Sequence, residues 1–424
     1  MASNGLIAII PVRVGLEDFL RQALNSFGTD IKGKRLTGGL RIEFAQTPSI
    51  HFARFALLPD IERGAGRERL LFSTDYDGAQ LHHLQEILTQ TTNPDAIWGC
   101  CEGYKNCLSF VQFIREHTVA PDTYYISFRD ESVPRLRSCM ALNETLQAWY
   151  TRANPSKVLG LLPAVLRFGN LVGKFGNILW FPFDVLIRGV FTAAECVVIG
   201  RRFGARNFLQ AGKQINATLN RVWWIYPFNL LLNNKYRRVT SPYSQASTNP
   251  PSNPTPPGYP PEDAILQNQL TLITDVKPET LPRLRAVLAL IDLYGRRLST
   301  PGSLVGISTI HTVRWAIIDG GKRLLMVSNY DGTWENYIDE FAEMILSGLD
   351  ALWSSAPDFP SAGAQDVAAL KEFLRRHQIP ANVFYSAYPE ASVLNLKENL
   401  EFARWYGPLI RYLIGVSQCG RQQF

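Results

Sequence analysis

Apolar, β-branched runs alternate with stretches of helical period along this chain, and the whole order occurs twice. NGLIAIIPVR (4–13) and NQLTLITDVK (268–277) each read as a strand. An amphipathic stretch follows each, LEDFLRQALNSF in the first and LPRLRAVLALI in the second. SIHFARFALL (49–58) answers TIHTVRWAII (309–318), and LLFSTDYDG (70–78) answers LLMVSNYDG (324–332). DAIW (95–98) answers DALW (350–353), and FIREHTVAPDTYYIS (113–127) answers FLRRHQIPANVFYS (373–386). Offsets between matched positions stay within 254 to 264. Continuous apolar runs predict the strands, and i, i+3, i+4 spacing predicts the helices. Each copy therefore reads strand, helix, strand, strand, helix, strand, with a further helix after the last strand. That is the split βαβ, or ferredoxin-like, order.

A four-stranded sheet with helices on one face leaves its other face apolar and in need of cover. Two copies in one chain cover each other. The expected fold is α+β: two tandem ferredoxin-like repeats packed as an intramolecular pseudo-dimer, with a helical amphipathic insertion between them. The expected boundaries are 1–156 for the first repeat, 157–239 for the insertion, 240–263 for a linker and 264–424 for the second repeat. On these residues the chain resembles the dimeric α/β-barrel superfamily. That superfamily includes tandem members such as dye-decolourising peroxidases and chlorite-dismutase-like haem proteins, along with small monooxygenases. The resemblance covers both ends, roughly 150 residues each, and rests on topology. It implies haem as cofactor and oxidative chemistry in a pocket between the repeats. The peroxidases' distal GxxDG is replaced here by DYDG at Asp77 and NYDG at Asp331. No proximal-histidine motif is matched, so no catalytic residue is carried over.

Charge changes the picture in the middle of the chain. The net charge is +6, yet residues 157–238 hold 12 Lys or Arg and only two acids, Asp184 and Glu195. The longest uncharged run there, VWWIYPFNLLLNN (222–234), has 13 residues, against about 20 for a spanning helix. Trp180, Phe181, Trp223, Trp224, Tyr226 and Phe228 interleave with cations such as Arg237 and Arg238. That mixture suits a segment lying on an anionic membrane surface. A buried helical subdomain with snorkelling charges is the second reading. Nucleic acid is the weakest, because aliphatics far outnumber polar groups and no RNA-binding motif occurs. Eight prolines in 240–263 predict an extended spacer. Six cysteines without a CxxC pair exclude a disulfide framework or a zinc site, and the expected compartment is reducing. The N-terminus reads as a first strand and not as a signal peptide.

His51 and Arg54 match His311 and Arg314 in the pattern HxxR[FW]. Strand alternation puts His51 with Ala53 and Phe55 on one face and Arg54 on the other. These four are the candidate catalytic residues of an anion-binding or acid–base pocket between the sheets. The structural reading pairs each arginine with a carboxylate such as Asp77 or Asp331 and hydrogen-bonds each histidine. Tyr76, Asp77, Tyr330 and Asp331 are the candidate substrate contacts. Alternatively the aspartates cap the helices that follow them and the tyrosines pack. His117 and His377 sit at helix C-termini and suit the dipole, and Trp98 and Trp353 read as core anchors. Cys100, Cys101 and Cys107, near Lys105, are the thiol candidates. No P-loop, GxSxG or HExxH occurs.

The expected protein is cytoplasmic and peripheral to the membrane. It binds, and in the enzymatic version oxidatively transforms, a hydrophobic or lipid-derived small molecule between the repeats. The competing expectation is a non-catalytic membrane-docking or scaffold protein.

Overall fold

The computed structural model describes residues 3–27, 41–60, 64, 66–152, 190–215, 265–297 and 299–404. Trp180, Phe181, Trp223, Trp224, Tyr226, Phe228, Arg237, Arg238 and the proline-rich segment lie outside the described residues. The fold is α+β, with two four-stranded antiparallel sheets and helices packed on them.

In the N-terminal part of the chain, β1 (Ser3–Pro11), α1 (Glu17–Phe27), β2 (Ile50–Pro59) and β3 (Glu68–Asp77) are followed by α2 (Gln80–Thr89). Next come α3 (Phe110–Glu116), β4 (Thr123–Ile126) and α4 (Val133–Arg152). Two helical segments at 190–203 and 205–215 precede β5 (Gln267–Asp275) and α5 (Leu281–Arg297). The chain continues with β6 (Ile310–Ile318), β7 (Arg323–Asp331), α6 (Trp334–Trp353), α7 (Val367–Arg376) and β8 (Ala381–Ser386), and a helix at 393–404 ends the described residues.

The strands read as continuous apolar runs because both of their faces are covered. Leu6, Ala8, Ile10, Leu70 and Phe72 pack with the helices around Trp98. The alternate residues Ile7, Ile9, Ala56, Leu58 and Leu71 join Ile273, Ala316, Ile318, Leu325 and Val327 of the other sheet in one cluster. The sheets therefore meet face to face. Trp98 and Trp353 are fully buried, as the sequence predicts for core anchors.

Sheet order shows a connection that the sequence does not. One sheet runs β1-β3-β2-β8 and the other β4-β6-β7-β5. Each sheet thus takes three strands from one end of the chain and its fourth from the other end. Before the exchange, each crossing segment also touches the first strand of its own end. Val119 N donates to Ile7 O (2.8 Å), and Ile379 N donates to Thr271 O (2.8 Å). The segments 117–126 and 377–386, which end in β4 and β8, therefore stitch one sheet to the other on both sides.

The remaining registers coincide pair for pair. Ser3 faces Asp77 and Pro11 faces Arg69, just as Gln267 faces Asp331 and Asp275 faces Arg323. A bulge interrupts β2 between Ile50 and Phe52, and β6 between Ile310 and Thr312. The extra residues are His51 and His311. Beyond β3 and β7, Gly78 and Gly332 take positive φ (83° and 81°), a bend that glycine makes without strain.

Candidate functional site

The bulges decide the geometry of the site. Strict alternation puts the histidine and arginine of HxxR on opposite faces, and the structure corrects this. In β6, the His311 ring packs 5.3 Å from Phe52 of the other sheet, while Thr312 and Arg314 both reach Asp75 there. One extra residue in the strand re-aims the histidine toward the facing sheet. His51 does the corresponding thing in β2, and with Phe52 it surrounds the Tyr388 ring.

Each arginine crosses into the opposite sheet. Arg54 donates to Gln269 Oε1 (3.0 Å), Leu270 O (2.9 Å), Thr271 Oγ1 (2.9 Å), Ser328 O (2.6 Å) and the Asn329 side-chain oxygen. Arg314 donates to Leu6 O (2.8 Å), Thr74 O (2.9 Å), Ser73 Oγ (2.9 Å) and Asp75 Oδ2 (3.0 Å). The exchanged strands lay one ring on each guanidinium, Phe384 on Arg54 and Tyr124 on Arg314. Gly5 makes room for the second arginine, since a Cβ there would stand 2.8 Å from Arg314 Nη1. The matched position in the second copy is Gln269, which instead binds Arg54.

Of the two buried guanidiniums, Arg314 bonds the carboxylate Asp75, whereas Arg54 bonds the neutral Asn329 that matches it. Burial is the main reason that Arg54 titrates low, at about 9, and the neighbouring charge of Arg314 adds to it. Asp75 opposes that shift. The expected arginine partners, Asp77 and Asp331, serve the histidines instead. His51 Nε2 lies 3.0 Å from Asp77 Oδ1 and its Nδ1 lies 2.9 Å from the Tyr388 hydroxyl. With Nε2–H donating to the carboxylate, Nδ1 is the atom that accepts a hydrogen bond from the Tyr388 hydroxyl. Tyr388 keeps its proton because burial raises its pKa, with Asp75 and Asp77 adding to the effect. His311 Nε2 lies 2.7 Å from Asp331 Oδ1.

Both aspartates do cap helices, but not the helices that follow them. Asp77 Oδ2 accepts from Val133 N (2.8 Å) at the start of α4, and Asp331 Oδ2 accepts from Val393 N (2.7 Å). Ala79, the N-cap of α2, makes no side-chain cap bond, and Thr333 caps α6. Each aspartate therefore ties a strand end, a bulged histidine and a distant helix together. Asp331→Ala should cost about 2–4 kcal/mol, from the lost cap and an unsatisfied buried histidine. Urea denaturation measures this, and a loss below about 1 kcal/mol would contradict the role.

Tyr76 and Tyr330 lie away from this site, on the helix side of their strands. Tyr76 stacks on His83 at 3.9 Å and Tyr330 stacks on Tyr337 at 4.0 Å. His83 bonds Thr74 and Tyr337 bonds Ser328, so His83, which looks unmatched in the sequence, occupies the place of Tyr337. His117 and His377 each cap a helix C-terminus, with Nδ1 2.8 Å from Phe113 O and Phe373 O respectively. Burial raises the Cys100 and Cys101 thiols, the reverse of activation. Sequence reasoning missed Asp75 and Tyr388. The usable signal for Asp75 was its match to Asn329, a charge difference inside an otherwise repeated phrase.

An axial histidine needs a free ring nitrogen, and both nitrogens of His51 are engaged, by Asp77 and Tyr388; in His311, Asp331 holds Nε2. Among the described residues, no group of three His, Cys, Asp or Glu is placed to hold a metal ion. Comparison with family models, curated proteins and solved structures returns no match for this chain.

A second region stands out on the surface. Val190, Phe191, Val197, Val198 and Leu209, on the segments 190–203 and 205–215, are each more than half exposed. Cys196, Ile199, Phe203 and Phe208 on the same segments pack against the core around α5 and α6. Arg201, Arg202, Arg206 and Lys213 are exposed beside the apolar stripe. The acid of this segment, Glu195, pairs with Arg296 and Arg297. Among the described residues, no helix is long and apolar enough to cross a membrane.

Proposed function

We propose that this is a peripheral-membrane docking protein. Its frame is a pair of ferredoxin-like repeats, 1–156 and 264–424, joined as an intramolecular pseudo-dimer, and its contact surface is the basic amphipathic insertion at 157–239. The observation that carries the reading is the exposed stripe Val190, Phe191, Val197 and Val198 running into Arg201, Arg202, Arg206 and Lys213. Such a helix lays its apolar side chains into the headgroup boundary. Its cations add about 1 kcal/mol each near anionic lipid.

Docking is favoured over catalysis because the four candidate catalytic residues are engaged by protein partners. Arg54 has five protein acceptors, and His51 is held at both nitrogens. Their arrangement suits a strut between the sheets.

Vesicle flotation tests the reading. The full chain should float with vesicles containing phosphatidylserine and much less with pure phosphatidylcholine. Val197→Asp with Val198→Asp should reduce binding about tenfold or more, and added salt should weaken it. Equal flotation of the wild type and this variant would sink the proposal.

A further inference from the structure

A cleft of about 690 Å³ opens where the end of β4, the end of α5 and the helix at 393–404 meet, within the size range of small-ligand sites. Ile126 and Phe128 give it an apolar floor. Arg129, Arg135, Arg296, Lys397 and Arg404 line it, against the acids Asp130, Glu131 and Glu401. Five lining side chains are thus positive and three negative, with Arg135 4.0 Å from Glu131. Part of this charge is already oriented: Arg129 donates to Tyr124 O at 2.7 Å, and Arg296 bonds Asp292 and Glu195.

Arg135 also lines a second cavity, of about 360 Å³, that follows α4 past Cys139, Ala141 and Leu142 to Ala403. The two spaces are thus neighbours, with Arg135 in the wall of both. A cationic chamber beside a groove whose apolar lining is Cys139, Ala141, Leu142 and Ala403 matches a molecule with one anionic end and one alkyl end.

We infer that these neighbouring cavities bind an anionic amphiphile, with a phosphate or carboxylate head among the cations of the cleft and a single alkyl chain along α4. Charge-assisted bonds from arginine and lysine hold such a head. Its source is set by Glu195, which lies on the exposed helix at 190–203 and bonds Arg296 of the cleft. The cleft therefore opens beside the surface proposed to dock on lipid. The inference rests on that docking for where the ligand comes from, and not for the chemistry of its binding.

Calorimetric titration of the full chain, without vesicles, tests it with three probes: dodecyl phosphate below its micelle concentration, inorganic phosphate and dodecanol. Dodecyl phosphate should bind at least about tenfold tighter than either of the others. The double variant Lys397→Glu, Arg404→Glu should weaken it about tenfold. Ala141→Trp, at an exposed position of the groove, should weaken dodecyl phosphate and leave inorganic phosphate unchanged. Urea midpoints of the variants establish that they are folded. Equal affinity for inorganic and dodecyl phosphate, or undiminished binding by folded variants, would overturn the site. Dodecyl phosphate binding without vesicle flotation upholds the cleft and removes the docking reading. Flotation without dodecyl phosphate binding does the reverse.

Discussion

Replacing Asp75 by alanine should cost about 3–5 kcal/mol of stability, the penalty for leaving a buried charge without its partner. Asp75 accepts from Arg314 at 3.0 Å and from Thr312 at 3.3 Å, and all three are buried. It is also the carboxylate that raises the pKa of Arg54 against burial and against Arg314. Without it, two guanidiniums face each other between the sheets. Asn329→Ala, which removes a neutral partner from the same network, should cost less, about 1–3 kcal/mol. The double variant Asp75→Leu, Arg314→Met should recover much of the loss, since apolar replacement of a whole buried pair is often near neutral. Urea denaturation of the four proteins decides the matter. A loss below about 1 kcal/mol for Asp75→Ala would mean that Asp75 does not compensate the arginines.

Acid should destabilise the protein below pH 6.5 through His83. This side chain is fully buried, bonds Thr74 at 2.8 Å through Nε2, and stacks on Tyr76, while its Nδ1 has no hydrogen-bond partner. Burial pushes its pKa down from 6.5 to about 3, and the adjacent His82 contributes further. The unfolded chain therefore takes up a proton that the folded chain refuses. The stability this contributes is fully present above pH 6.5 and is lost as pH falls toward 3. The loss is on the order of 2 kcal/mol at pH 5 and of 5 kcal/mol across the whole window. Tyr337 supplies the control, because it fills the matched place with a group that stays neutral there. His83→Tyr with Thr74→Ser reproduces that pair and should flatten the pH dependence between 7 and 5. Parallel losses in wild type and variant would assign the acid sensitivity elsewhere.

The strands, their duplication and the core tryptophans were legible because hydrophobicity has a period that a single sequence displays. The coinciding registers of β1–β3 and β5–β7 follow from matched apolar runs of equal length. The orientation of His51 and His311 was not legible, because one inserted strand residue changes no composition and leaves no periodic trace. The capping of α4 by Asp77 was hidden for a different reason. The cap is 56 residues from the backbone N–H it satisfies, whereas the cap pattern readable in sequence is local. Strand exchange was the least accessible of all, since β4 and β8 are held by backbone hydrogen bonds that any side chain would allow.

That exchange sets a schedule for making the protein. Arg54 of β2 pairs with Phe384 of β8, so the first sheet stays incomplete until about 330 further residues have been synthesised. At translation rates of roughly 5–20 residues per second, β2 waits about 15–65 s for its neighbour. Throughout that interval its unpaired N–H and C=O groups, and the apolar face around Ala56 and Leu58, stand open to any other nascent strand. The N-terminal half therefore cannot mature ahead of the C-terminal half. A chain interrupted anywhere before β8 leaves the ribosome as an aggregation hazard and not as a smaller folded protein.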